Sequence, residues 1–237
     1  MRKFMIPFLI RVKSMIEYKV NFTYFFLSMA ISTIAYFSNA SYRDVLLEGY
    51  GVTYTSFAIA GAIATSLANF EIPYITRFEL LNFGLWNVVL STLLFSLLIG
   101  GFRALIIALF TMSYLKPSPN LLISFPFFVL LGFSVLLLLT VSDSLLKGEN
   151  VLAWGYFGLW NLFSGVWFPV DALPFGLAEL AVLLPQYHLI NLVRDPLIGR
   201  LNPISLLYAV VTAPLMVALS VLIERECLRR GCFSVRA

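Results

Sequence analysis

A chain of 237 residues has room for one or two soluble domains, but 60% of these residues are hydrophobic, 16% are aromatic and only 12% are charged. Such a chain has too few polar side chains to cover the surface of a soluble protein. The composition therefore predicts an integral membrane protein and excludes secreted, cytosolic and nucleic-acid-binding proteins.

Uncharged runs of at least 20 residues occur six times along the chain. About 20 apolar residues, at a rise of about 1.5 Å each, cross a hydrocarbon core of about 30 Å as one helix. A β-barrel would need strands that alternate apolar and polar side chains, whereas residues 121–139 are apolar on every side. We therefore predict an all-α polytopic membrane protein with six transmembrane helices. The runs are residues 20–42, 49–70, 80–102, 117–142, 150–170 and 201–223.

The segment before the first run carries apolar side chains at helical spacing, among them Met5, Phe8 and Leu9, with basic residues between them. This pattern predicts an amphipathic helix at the inner leaflet, and a basic flank that only sets the orientation is the alternative. We expect one transmembrane domain over the whole chain. It comprises an interfacial helix over 1–20, a six-span bundle over 21–223 and a cytoplasmic tail over 224–237.

Lysine and arginine residues are divided unevenly between the loops. With six spans both termini share a side, and placing the termini in the cytoplasm puts eleven basic residues inside and four outside. Because basic loops stay in the cytoplasm, we predict a multi-pass protein of the cell membrane with both termini cytoplasmic. The external basic residues are Arg43, Lys116, Arg194 and Arg200, and Arg103 is an intramembrane charge.

The second run is rich in small side chains, with pairs four residues apart such as Ala58 and Ala62 or Ala60 and Ala64. Helices in lipid associate where small residues let their backbones approach, so this pattern predicts a buried packing helix. A helix that lines a substrate path is the alternative.

The third region, residues 80–115, is too long for one span and too short for two. Arginine at the bilayer centre costs at least about 2.5 kcal/mol, which favours a place for Arg103 near an edge. We therefore predict a span from about Ile99 to Lys116, with Arg103 one turn from the cytoplasm. Glu79 to Leu97 then forms a helix along the cytoplasmic face. Two roles for Arg103 are equally compatible with the sequence. It can anchor the helix at the interface, or it can contact a substrate or a lipid headgroup.

Five prolines divide the apolar residues between the fifth and sixth runs into pieces too short to span. We predict re-entrant or interfacial helices on the external side, one of them over Phe175–Leu184. The prolines are Pro169, Pro174, Pro185, Pro196 and Pro203.

Residue patterns for catalysis, metal binding or nucleotide binding are absent from the sequence. No glycine-rich phosphate loop is present, and Cys227 and Cys232 have no histidine or further cysteine near them with which to hold a metal. His188 is the single histidine and is predicted to be a polar surface residue. We expect no enzyme and no cofactor. A lipid-modifying membrane enzyme is the alternative, and it requires Arg103, His188 and Asp195 to converge.

Residues 164–174 read Ser-Gly-Val-Trp-Phe-Pro-Val-Asp-Ala-Leu-Pro, and Leu-Leu-Pro-Gln-Tyr-His follows at 183–188. Together with Asn191, Arg194 and Gly199, this segment resembles the membrane subunit of type-2 ABC exporters, the ABC-2 permease family. The resemblance implies a re-entrant segment after the fifth span. Its residues are Phe168, Pro169, Asp171, Pro174, Pro185, Asn191, Arg194 and Gly199.

The same resemblance implies a cytoplasmic coupling helix between the second and third spans. It also implies a permease subunit that pairs with an identical or different second permease and docks on a separate ABC ATPase. That partner would bind the ATP that drives export of a hydrophobic, amphipathic or polymeric substrate, with membrane lipid as a further partner. A scaffold or assembly protein that does not transport is the alternative. The coupling residues are Glu71, Arg77, Glu79, Leu80 and Leu81.

Overall fold

The computed structural model of the chain describes residues 5–10, 13, 53–70, 83–145, 156, 163–166, 169–173 and 176–230. These residues form helices and the connections between them, without a β-strand among them, and the all-α prediction is confirmed to that extent. The helices are α1 (Tyr54–Ala68), α2 (Leu85–Thr111), α3 (Asn120–Leu145), α4 (Leu177–Leu183), α5 (Pro185–Leu197) and α6 (Pro203–Arg230). Residues 5–10 are also helical. Single 3-10 turns form over Met112–Tyr114 and Val170–Ala172.

Three of these helices have the length and apolar composition to cross a membrane. They occupy Leu85–Tyr114, including the 3-10 turn, Asn120–Ser142 and Pro203–Arg230. Only 17–44% of the most apolar part of each is buried inside the protein, so most of this apolar surface faces outward. Such helices belong in a lipid bilayer rather than in water. The chain is therefore a membrane-embedded helical protein, while the first run and most of the fifth lie outside the described residues.

The α1 helix is almost completely enclosed by the rest of the protein. Ten of its 15 residues are buried, and Ala60 and Ala64 have no exposed surface. The Thr53 hydroxyl accepts a hydrogen bond from the Ser56 amide at 3.2 Å and caps the first turn. The prediction of a buried packing helix is confirmed. At about 1.5 Å per residue these 15 residues rise about 22 Å, less than the thickness of the hydrocarbon core.

The predicted division of residues 80–115 is wrong, because α2 is one continuous helix of 27 residues. No proline interrupts it, and neither Gly100 nor Gly101 breaks it. Arg103 lies eight residues, or about 12 Å, before the end of the helix and about 27 Å from its start. It is therefore closer to the end that leads to Lys116 than to the predicted cytoplasmic end.

Glycines allow the backbone of α1 to approach two other segments. A side-chain carbon at Gly100 of α2 would lie 3.0 Å from the carbonyl carbon of Ser66 and closer still to its oxygen. A carbon at Gly61 of α1 would lie 2.8 Å from the Val166 carbonyl oxygen. Real side-chain carbons do not come this close, so only glycine fits at both positions. α1 is thus packed by backbone contact on both sides.

The α3 helix packs mainly against α5 and α6. Pro126 and Pro214 lie inside α3 and α6 without ending either helix. α6 continues to Arg230, so the first seven residues of the predicted tail are a helical extension of the last span. Its end carries an ion pair between Arg230 Nε and the Glu226 carboxylate at 2.6 Å.

The described residues of the predicted broken segment form short elements, but Pro196 lies inside α5 and does not divide it as predicted. The 3-10 turn at Val170–Ala172 is followed by α4 with seven residues and α5 with 13. Gly176 takes a φ of +73° before α4, and Pro185 begins α5, where a missing amide hydrogen has no cost. Neither helix is long enough to cross a bilayer.

Candidate functional site

The last turn of α5 lies at the end of the bundle where three spans begin or end. The Lys116 amide donates to the Leu197 carbonyl at 3.0 Å, and the Ser118 amide donates to the Pro196 carbonyl at 2.9 Å. These bonds attach the segment between α2 and α3 to the last turn of α5. α6 begins six residues after α5, at Pro203. The broken segment is thereby fixed to one end of the membrane-spanning helices.

Arg194 is the centre of this region, and only 6% of its surface is exposed. Its Nη1 donates to the Gly165 carbonyl at 2.6 Å, and its Nη2 donates to the Asn191 side-chain carbonyl. The guanidinium carbon lies 4.2 Å from the centre of the Phe57 ring of α1. We call these four residues, together with Asp195, the Arg194 cluster. It joins α1, residues 163–166 and α5 through one side chain.

A buried guanidinium requires compensation for the water that it loses. Asp195 supplies the opposite charge at 3.4 Å from Arg194 Nε. The other carboxylate oxygen of Asp195 accepts a hydrogen bond from the side-chain amide of Asn202 at 3.0 Å. Asn202 in turn accepts from the Ser205 backbone amide at 3.0 Å and caps the first turn of α6. The polar network of Arg194 therefore extends to the beginning of the last span.

Gly199 forms the turn between α5 and α6. Its φ is +85°, which is unfavourable for any residue with a side chain. In this turn the Arg200 amide donates to the Asp195 carbonyl at 2.8 Å. Arg200 is exposed and lines the same cleft as Asp195.

His188 is completely buried between α4, α5 and α6, so the prediction that it is a surface residue is wrong. Its Nε2 hydrogen is donated to the Val182 carbonyl at 2.7 Å, which makes Nδ1 the acceptor for the Ser205 hydroxyl at 3.0 Å. The ring stacks on Tyr208 with 3.7 Å between ring centres. Burial lowers the pKa of His188 to about 4, opposed by its bond to Val182. The neutral imidazole therefore serves as a packing group that fixes α4 and α5 to α6.

The stability of the protein is expected to fall as the pH is lowered from about 6.5 to about 4. In this interval the unfolded chain binds a proton at His188 while the folded protein does not, since its pKa is lowered from 6.5. The loss reaches up to about 3 kcal/mol and stops below pH 4. The midpoint of thermal unfolding in detergent, measured across this pH range, tests the prediction.

His188→Gln is the matching variant, because it removes the titrating group and should flatten this part of the pH profile. Tyr208→Phe removes a hydroxyl that donates to the Leu183 carbonyl at 2.9 Å but leaves the imidazole in place. Its profile should keep the slope of the natural protein. Equal slopes in the natural protein and in His188→Gln would contradict the assignment.

A cleft of about 120 Å³ lies next to the Arg194 cluster. Phe57 and Tyr187 form aromatic walls, and two acidic and two basic residues complete its polar lining. Burial raises the pKa of the Tyr187 phenol above its usual 10.0, so the phenol is a neutral group at physiological pH. The charged lining residues are Asp171, Arg194, Asp195 and Arg200.

Most of the predicted re-entrant residues that the structure describes come together in this region. Asn191 and Arg194 are bonded to each other, Pro169 and Asp171 line the cleft, and Gly199 makes the adjoining turn. Pro185 begins α5 at its opposite end. Phe168 and Pro174 lie outside the described residues. The predicted coupling residues Glu71, Arg77, Glu79, Leu80 and Leu81 lie outside them as well.

The alternative of a lipid-modifying enzyme requires Arg103, His188 and Asp195 to converge. The bonded partners of His188 are Val182 and Ser205, and the side chain of Asp195 binds Arg194 and Asn202. Arg103 belongs to α2.

Sequence reasoning missed Phe57, Asn202, Ser205 and Tyr208. An asparagine directly before a proline is typical of the start of a helix, so the capping role of Asn202 was accessible from the sequence. Phe57 is separated from Arg194 by more than a hundred residues, and no local pattern connects the two.

No protein-family model matches this chain, and no curated protein is similar enough to be counted as a relative. The fold and composition together define a membrane-embedded helical protein with the buried Arg194 cluster and a polar cleft at one end of its spans.

Proposed function

We propose that this chain is the permease subunit of an ATP-driven exporter of the ABC-2 type. The observation that carries the proposal is the bond of 2.6 Å between Arg194 Nη1 and the Gly165 carbonyl. It joins the two ends of the segment that resembles this family, the Ser164-Gly165 pair and the trailing arginine. In this proposal residues 164–199 contain the external re-entrant segment, and both termini lie in the cytoplasm of a cell-membrane protein.

The position of α1 suits the transmission of movement between the proposed coupling segment and the Arg194 cluster. Its first half contacts Arg194 through Phe57, and the proposed coupling residues from Glu71 to Leu81 follow its last residue, Ala68. Backbone contacts at Gly61 and Gly100 hold α1 against its neighbours. A displacement of the coupling segment by a cytoplasmic ATPase would therefore reach the external end through one stiff helix.

The substrate class in this proposal is hydrophobic, amphipathic or polymeric. The cleft at the Arg194 cluster, at about 120 Å³, is smaller than the 300–1,000 Å³ that is usual for drug-sized ligands. A transport path is instead expected between two permease subunits, identical or different. The second subunit and the ATPase, which binds the ATP, are the proposed partners.

The proposal is tested by purifying the tagged protein from its native cells under gentle extraction, with mass spectrometry and an ATPase assay on the eluate. We expect a near-stoichiometric ATPase subunit with vanadate-sensitive hydrolysis. Repeated eluates without an ATPase would refute the transporter and favour a scaffold or assembly protein.

Charge reversal at Glu79 is expected to lower recovery of the ATPase at least about fivefold, the equivalent of about 1 kcal/mol. The physical reason is that Glu79 is one of the proposed coupling residues, through which the ATPase would dock. Glu179→Lys is the matched control, because Glu179 is an exposed residue of α4 in the proposed external segment. Equal recovery with both variants would remove Glu79 from the coupling role.

A further inference from the structure

We propose that the cleft beside the Arg194 cluster binds the headgroup of a zwitterionic phospholipid, with its phosphate on Arg200 and its ammonium group on Asp171. The cleft lies at the end of the bundle where α2 ends and α3 and α6 begin. The ends of membrane-spanning helices lie at the level of the lipid headgroups. A cleft at this level therefore meets phospholipid headgroups.

The charges of the lining favour a zwitterion over an anion. Two arginines and two aspartates line the cleft, so its formal charge is zero. A purely anionic headgroup would be attracted by the arginines and repelled by Asp171 and Asp195. A zwitterion can place each of its charges next to the opposite charge, so both contacts are favourable.

Arg200 and Asp171 are the charged residues suited to hold the ligand. Arg194 directs its donors to Gly165, Asn191 and Asp195, and its flat face lies over Phe57. Arg200 and Asp171 are exposed, and a guanidinium is well suited to phosphate oxygens. Both residues also make contacts inside the protein, so a headgroup would share or replace these contacts.

The size of the cleft agrees with a headgroup whose lipid tails remain outside. The volume of about 120 Å³ is below the 300–1,000 Å³ that is usual for drug-sized ligands. This space suits the phosphate and ammonium groups of one headgroup but not a whole lipid. Exposed apolar residues begin next to Arg200, with Leu201, Ile204 and Leu207, and offer a surface for an acyl chain.

Native mass spectrometry of the purified full chain tests the proposal, with added phosphatidylethanolamine or phosphatidylglycerol as the probe. We expect phosphatidylethanolamine to be retained at least about fivefold more than phosphatidylglycerol. This ratio corresponds to the upper end of the free energy that one exposed ion pair contributes. Equal retention, or preference for the anionic lipid, would overturn it. The test requires no ATPase, so its outcome is independent of the proposed transport.

Three variants relate the binding to the cleft. Arg200→Gln is expected to lower retention of phosphatidylethanolamine about fivefold, whereas Lys116→Gln, an equal loss of charge at an exposed residue outside the lining, changes it less than about twofold. Asp171→Asn is expected to shift the preference towards phosphatidylglycerol. Equal losses at residues 200 and 116, or an unchanged preference in Asp171→Asn, would contradict the assignment.

Free glycerophosphoethanolamine carries the same headgroup without acyl chains. It therefore distinguishes a membrane lipid from a soluble zwitterion as the ligand. Retention of phosphatidylethanolamine that survives an excess of this soluble compound supports a membrane lipid as the ligand. Displacement by the soluble compound at equal concentration would overturn the lipid and assign the cleft to a soluble zwitterion.

Discussion

Arg194→Gln is expected to lower the free energy of unfolding by about 3–5 kcal/mol, the usual effect of breaking a buried ion pair by removing one partner. The variant leaves the Gly165 carbonyl, the Asn191 side-chain carbonyl and the Asp195 carboxylate without their cationic donor. The cost of a buried acceptor left without a partner, about 1–3 kcal/mol, is included in this loss, and Asp195 keeps its bond from Asn202. Unfolding by denaturant in detergent micelles, followed by tryptophan fluorescence, measures the change.

Two further variants separate the geometry of Arg194 from its charge. Arg194→Lys keeps the charge but replaces a planar fork by a single ammonium, which cannot reach Gly165 and Asn191 together while stacking on Phe57. We expect it to recover only part of the stability. Arg200→Gln removes an exposed arginine six residues away and should change stability by no more than about 0.5 kcal/mol. If Arg194→Gln were as stable as Arg200→Gln, the cluster would not hold the three segments together.

The parts of the fold that local chemistry determines were predicted from the sequence. Alanines four residues apart indicated that α1 is buried, because small side chains in a membrane helix serve close packing. Prolines indicated that residues 169–202 form short pieces. A proline inside a helix removes a backbone hydrogen bond and clashes with the preceding turn, which kinks or breaks the helix. Pro126 and Pro214 show the limit of that rule, since α3 and α6 continue through them.

The division of residues 80–115 failed because it relied on the energy of a single side chain. The cost of Arg103 in lipid was used to place a helix end near it, but α2 continues past it on both sides. A cost of about 2.5 kcal/mol is smaller than the cost of leaving several backbone groups of a broken helix without partners in lipid. Backbone hydrogen bonding therefore determined the helix.

The sequence predicted only the part of the candidate site that lies on one helix. Asn191 and Arg194 are three residues apart on one helix, so their contact follows from helical spacing. Phe57 approaches Arg194 through the packing of α1 against α5, and Gly165 lies next to Val166, which contacts Gly61 of α1. Contacts of that kind depend on the whole fold and have no signature in a single sequence.

Gly100→Ala is expected to destabilise the protein by about 1–3 kcal/mol, the usual cost of an overpacked contact. The added carbon would lie 3.0 Å from the Ser66 carbonyl carbon and 3.1 Å from the Leu67 α-carbon. Both are backbone atoms of α1, so no side chain can rotate away, and α1 and α2 have to separate. The free energy of unfolding, measured as for Arg194→Gln, tests this contact.

Gly101→Ala is the matched control, because it makes the same chemical change one residue further along α2. The nearest atom to its added carbon is the Leu67 Cδ2 atom at 4.0 Å, an ordinary contact. Helix propensity favours alanine over glycine by about 0.8–1 kcal/mol at both positions, so Gly101→Ala should equal or exceed the natural protein in stability. The difference between the two variants therefore isolates the contact between α1 and α2. Equal stabilities would mean that the two helices are not in backbone contact at this level of the membrane.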